Sequence, residues 1–303
     1  MSNSVLLARG ALAVWTLWLC GTSAVFAERT AKTRPSTRKA QSPPEEGSEG
    51  QPKASIAVQT LEAASSGREV KEAAIREIPT ALLTGPHLET VERVLSSLSL
   101  FRRLPTIQCE VSPGPYQLFV EHPDLAVGMW RAMGISKLQL TDQGHGRYSL
   151  DTGDGTVGTL TVLARDDHHC LILCDGSFKS PLLIKPVVAE ALFNLETRWV
   201  HDRAGTVSAI HRADLFVAFP SQTVETVAKV ISPMSNRVLD KNFEEVSVFA
   251  RMMQVAMAHQ PGWIEQTSGK LDNVPADQVE SLLRITAKIY AQQRRLAEAQ
   301  GGE

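Results

Sequence analysis

The sequence predicts an α+β domain: an antiparallel sheet of about six or seven strands backed by a long C-terminal helix, with extra helices at both ends. Three observations predict it. Residues 187–200 and 206–219 alternate apolar and polar side chains around the turn His201-Asp202-Arg203-Ala204-Gly205. Successive strand side chains point to opposite faces, so each run is a strand with one buried and one wet face. Residues 135–178 hold four shorter alternating runs separated by turn residues, and residues 221–259 carry an apolar stripe at helical spacing.

The N-terminus comes first. Arg9, the apolar run of residues 11–20 and Val25-Phe26-Ala27 before Glu28 read as the basic region, apolar core and cleavage pattern of a secretory signal peptide over residues 1–27. The run is interrupted by Thr16 and followed by Gly21, Thr22 and Ser23, short of the ~20 residues that span a bilayer. Trp18 and Leu19 stand before Cys20 where an acylated lipoprotein needs small residues. The expectation is an exported protein, periplasmic or extracellular, with no transmembrane segment after cleavage.

Residues 28–66 read as a disordered linker of Lys, Arg, Pro, Ser, Thr, Glu and Gly, too poor in large apolar residues to offset its ordering entropy. Residues 67–104 read as a helical extension. Val70, Ala73, Ala74, Ile75 and Ile78 mark one helix before Pro79; Leu88, Val91, Val94, Leu95, Leu98 and Leu100 mark a second, with Arg102 and Arg103 placed at its C-terminus, where cations are favoured. These helices either pack on the domain or present a surface to a protein partner.

The main domain, residues 105–260, opens with strand candidates at 106–111 and 116–120. A helix follows from His122-Pro123-Asp124 to Gly134, with Leu125, Met129, Trp130 and Met133 apolar and proline early, where its missing N–H is not needed. Four short strands come next: 135–141, 147–151, 156–164 and 169–174, with Thr152-Gly153-Asp154-Gly155 a hairpin turn. The two long strands follow, and then the long helix, N-capped by Ser221, kinked or broken at Pro233 and ended by Pro261-Gly262. Residues 261–303 supply a last helix from Pro275 to about residue 299 and a frayed tail.

This order of elements resembles the helix-grip architecture of the START/Bet v 1-like superfamily, in which a curved antiparallel sheet wraps a long last helix. The whole chain also has the look of an exported bacterial protein. The resemblance covers residues 106–259 and implies an apolar pocket for a hydrophobic small molecule of the lipid or isoprenoid class, with no fixed catalytic motif. Side-chain parity then picks the pocket. Phe193, Leu195 and Trp199 face inward from one strand, His211, Leu215 and Phe219 from the next, and Met234, Met253 and Met257 from the helix. Thioethers suit an irregular apolar site and an ordinary core equally.

His211 stands out, polar on an apolar face. It either orients a ligand, serves as a base in an enzyme using the same pocket, or is satisfied by a neighbouring carbonyl or carboxylate. His168, His169, Cys170 and Cys174 lack the second ligand pair of a zinc site, and Asp151, Asp154, Asp166 and Asp167 read as turn aspartates. No metal or cofactor is expected, and no catalytic residue is assigned. A net charge of −2 over 303 residues lacks the concentrated basic surface of a nucleic-acid binder. After cleavage Cys109, Cys170 and Cys174 remain. Cys170 and Cys174 stand about 13 Å apart along a strand, beyond the roughly 7 Å limit for a disulfide, so only Cys109 is free to pair with either; three buried thiols are expected. The alternative to a ligand carrier is an interaction protein of the cell envelope with a filled core.

Overall fold

The computed structural model describes residues 56–153, 155–178, 186–203, 205–220 and 233–300. The signal-peptide reading, most of the linker, Ser221 and Asp154 lie outside these residues. Nine strands form one open antiparallel sheet, accompanied by seven α-helices among the described residues. The arrangement is compatible with a helix-grip fold.

The strands are β1 (Gln59–Glu62), β2 (Leu98–Arg103), β3 (Thr106–Cys109), β4 (Gln139–Asp142), β5 (Arg147–Asp151), β6 (Thr156–Arg165), β7 (His169–Phe178), β8 (Val187–His201) and β9 (Val207–Ala218). They lie in the order β1-β3-β9-β8-β7-β6-β5-β4, and β2 also pairs with β9. From β4 to β9 each strand pairs with the next in sequence. The long alternating runs do what their pattern requires: Val187, Ala189, Ala191 and Phe193 of β8 join Ala213, Leu215 and Val217 of β9 in one core. At Gly158 and Gly176, paired across β6 and β7, the backbones come so close that a Cβ on Gly158 would lie 2.6 Å from the Asp175 carbonyl oxygen.

The strand count exceeds the expected six or seven for two reasons. Residues 59–62, read as linker, form the edge strand β1 against β3; all four are exposed, so no apolar alternation marks them. Residues 98–103, read as the end of a helix, form β2. Leu98 continues the helical spacing of Val91, Val94 and Leu95, which hid the change of period. Together β2 and β3 run along β9, with Arg103 opposite Asp214 and Ile107 opposite His211. Between them Leu104 still donates to Ala213 O at 2.8 Å, but Pro105 has no N–H to give, and the ladder breaks there.

The helices are α1 (Arg68–Arg76), α2 (Gly85–Ser96), α3 (Pro113–Glu121), α4 (Pro123–Ala132), α5 (Pro233–His259), α6 (Pro261–Ser268) and α7 (Ala276–Gln300). Residues 116–120, read as a strand from Tyr116, Phe119 and Val120, are helical: those residues stand at i, i+3 and i+4, and prolines occupy the first turn of α3, where they cost no hydrogen bond. α4 ends as its sequence predicts. Gly134 has φ +69°, its N–H donates to Arg131 O at 2.9 Å, and Ile135 N–H donates to Trp130 O at 2.9 Å, the bond pair of a Schellman cap. α5 is described from Pro233, so the kink or break expected there lies at the boundary of the described residues, and Pro261 opens the further helix α6 just after α5 ends at His259.

Both faces of the sheet are covered. On one, Leu239, Phe243, Phe249, Met253 and Met257 of α5 pack with α4 and the inward residues of β4–β9. The other face, expected to be wet, carries α1 and α2. Ala74, Ile78, Val91 and Val94 pack on Leu171, Leu192, Phe216 and Ala218. This explains why β9 departs from strict alternation at Phe216, which is fully buried and meets the Phe101 ring at a centroid distance of 5.3 Å. The polar residues of that face form ion pairs: Arg103 with Asp214 and Glu77, Arg212 with Glu77 and Glu196, and Arg93 with Glu190.

Candidate functional site

A cavity of about 100 Å³ lies between the sheet and the helices. α3 contributes Tyr116, Phe119 and Val120, and α4 contributes Pro123, Ala126, Val127 and Trp130. Cys170 and Ile172 come from β7, Phe193 and Leu195 from β8, and His211 from β9. α5 closes the space with Phe243, Val246, Ser247, Phe249 and Ala250. None of these side chains is a carboxylate, lysine or arginine.

Two ties hold α5 over the cavity. Ser112, before α3, gives both its N–H (3.1 Å) and its hydroxyl (2.8 Å) to Gln254 Oε1. Arg251 donates to Glu110 O at 2.9 Å and pairs with the Glu110 carboxylate at 3.0 Å. Inside, aromatic rings set the shape. Phe249 meets Phe119 at 5.4 Å and the edge of Trp130 at 5.5 Å. The imidazole of His211 lies between a near-parallel Tyr116 ring at 5.6 Å and the edge of Phe243 at 5.3 Å. Tyr116 also shares a hydrogen bond with Thr197 Oγ1 at 2.9 Å, and its burial raises the phenol's pKa.

The hydrogen bonds of His211 fix its tautomer. Nε2 lies 2.8 Å from Ser247 Oγ, and the Ser247 hydroxyl donates to Phe243 O at 2.8 Å. A carbonyl only accepts, so the one serine proton goes to it, and Nε2–H donates to the serine oxygen. Nδ1 is left as a bare acceptor without a partner among the described residues. Burial lowers the imidazole pKa to about 4, so the ring is neutral at pH 7. Trp130 Nε1–H, also buried, lacks a partner in the same sense.

Of the residues that parity selects, the cavity brings together His211, Phe193 and Leu195. Trp199 instead lines a smaller neighbouring pocket of about 40 Å³, which shares Tyr116, Val120, Cys170 and Leu195 with the cavity as a common wall. Leu215, Phe219, Met253 and Met257 are packed in the surrounding core instead. Met234 is in the first turn of α5, and its side chain is outside the described residues. The strand reading of residues 116–120 concealed Tyr116, Phe119 and Val120. Ser247 had a signal, four residues after Phe243 and four before Arg251 on a helix otherwise apolar toward the sheet.

The other constellations are structural. The Asp166 carboxylate accepts from the backbone N–H groups of His168 (2.8 Å) and His169 (2.7 Å), and Asp151 accepts from Gly153 at 2.8 Å; both are turn devices. His168 Nδ1 lies 3.2 Å from Thr197 O. No group of three His, Cys, Asp or Glu side chains suited to a metal occurs among the described residues. Cys109, Cys170 and Cys174 are unpaired thiols, pushed up to about 12, 11 and 12 by burial. No described helix is long and apolar enough to cross a membrane. No family model matches this chain, and no curated protein matches its sequence.

Proposed function

We propose that this protein is an exported binding module that holds a hydrophobic small molecule between its sheet and α5, in the manner of the START/Bet v 1-like superfamily. The single observation that carries the reading is the cavity itself: walled by aromatic and aliphatic side chains, free of ionised groups, and crossed by a helix tied down at both Ser112 and Glu110. The space left among these side chains is about 100 Å³, several times what one water molecule needs. Drug-sized ligand sites run to roughly 300–1,000 Å³. The occupant is therefore small, a single ring or a short apolar chain, rather than a full isoprenoid. The N-terminal pattern of residues 1–27 supports placement outside the cytoplasm.

Native mass spectrometry of the mature protein purified from its own source, followed by solvent extraction, tests the proposal. A bound neutral mass released on denaturation is expected. A clean unliganded mass, with no thermal shift from a panel of small apolar compounds, overturns it.

A second reading, an envelope interaction protein without a ligand, draws on the outer part of α7. There the helix leaves the core, and Leu296 is half exposed. Residues 67–96 do not share in that surface, since the apolar sides of α1 and α2 are spent on the sheet.

A further inference from the structure

His211 and Trp130 both line the cavity, each is only 4% exposed, and each holds one polar atom without a partner among the described residues. The two atoms are complementary. His211 Nδ1 is an acceptor, because Nε2 carries the proton given to Ser247; Trp130 Nε1 is a donor. A buried polar group left unsatisfied costs about 1–3 kcal/mol. Both residues line the same apolar cavity, and a ligand that carries matching groups and reaches both atoms would relieve both costs.

We infer that the ligand is a compact, uncharged ring compound bearing a hydroxyl-type group, which donates to His211 Nδ1 and presents an acceptor to Trp130 Nε1–H. Size follows from the volume: an apolar cavity of about 150 Å³ takes up benzene, and this one, at about 100 Å³, admits one small ring once its walls adjust. Neutrality follows from the walls. No ionised side chain lines them, and a charged ligand would lose its hydration with no counter-charge in return. Phe249 and Trp130, edge to face at 5.5 Å, offer a ring the aromatic surroundings it prefers. This inference rests on the binding-module reading above and narrows its ligand to the phenol class.

The test titrates the full mature chain at pH 7.5 with toluene, 4-fluorotoluene, 4-methylphenol and 4-methylbenzoate, using calorimetry or ligand-observed NMR. 4-Fluorotoluene matches 4-methylphenol in size without its O–H. The expected result is 4-methylphenol binding about tenfold tighter than 4-fluorotoluene, the size of one satisfied buried hydrogen bond, with 4-methylbenzoate weakest. In His211→Phe the hydroxyl loses its acceptor and that ratio falls severalfold, toward the share left to Trp130 Nε1–H, while toluene still binds. If the variant does not fold, the ladder of ligands on the unaltered protein decides alone. Equal binding of 4-methylphenol and 4-fluorotoluene, or preference for the benzoate, overturns the inference and leaves the apolar-ligand reading standing. No binding by any of the four overturns both.

Discussion

Arg103 meets Asp214 in a two-bond fork across the β2–β9 ladder, with Nε 2.7 Å from Oδ1 and Nη2 2.8 Å from Oδ2. Asp214 is 2% exposed, and the bonds to this carboxylate raise the pKa of the guanidinium further still. The pair sits beneath the end of α1, where Glu77 takes a second bond from Arg103. Removing one partner of a buried pair strands the other charge, at a cost of about 3–5 kcal/mol. Asp214→Ala should lose that much stability in urea unfolding, and the double variant Arg103→Met/Asp214→Leu should recover most of it. A double variant no more stable than Asp214→Ala would show that the fork contributes chiefly through packing.

The imidazole of His211 gives a pH dependence of definite sign. Its folded pKa, about 4, lies below the ordinary value near 6.5. In that interval the unfolded chain takes up a proton that the folded chain refuses, so stability falls as pH drops from about 6.5 toward 4, by up to about 3 kcal/mol. Burial raises Asp124 instead, which acts in the opposite direction. The comparison is therefore between the protein and His211→Phe, whose stability should fall less over the same interval. Parallel curves would place the histidine's titration elsewhere.

How much of this was legible in the sequence depends on whether burial leaves a period. β8 and β9 are legible to within a residue or two of their ends because apolar and polar side chains alternate along most of each, and Gly134 announces the end of α4. β1 has no buried face and so no pattern. β2 begins in phase with the helix before it, and α3 passes for a strand because tyrosine, phenylalanine and valine favour a pleated surface and equally form an apolar helix stripe. That last error hid one wall of the cavity. His211 was visible as a polar interruption; its serine partner, 36 residues away, was not, because contact across that distance is a property of the packed sheet and helix.

The contact of β6 with β7 at Gly158 leaves no room for a side chain. The atoms a Cβ would meet are backbone, Asp175 O at 2.6 Å and Gly176 Cα at 3.0 Å, and backbone in a ladder does not step aside cheaply. Gly158→Ala should cost about 1–3 kcal/mol. Gly262→Ala, with nothing within 4 Å and a place in α6, should be neutral or stabilise by up to about 1 kcal/mol. Equal midpoints for the two in thermal unfolding would refute the steric account.

Cys109, Cys170 and Cys174 are thiols held in their protonated form by burial, and it is the thiolate that reacts. At pH 8 these three thiols of the native protein should react with an aromatic disulfide reagent far more slowly than free cysteine does. In denaturant all three should titrate at once without prior reduction. Two missing thiols before reduction would reveal a disulfide.

The seam between β2–β3 and β9 also sets a timetable for folding. Leu98 pairs with Ala218, roughly 120 positions later, and such distant pairings are slow to close. The meander from β4 to β9 can zip through neighbouring hairpins as it leaves the ribosome. β2 and β3, made early, must wait for β9, the last strand, before they can pair. Once β9 is out and until β2 and β3 close on it, it offers an unpaired backbone rim and a bare Phe216, and the chain is most vulnerable to pairing with another copy of itself.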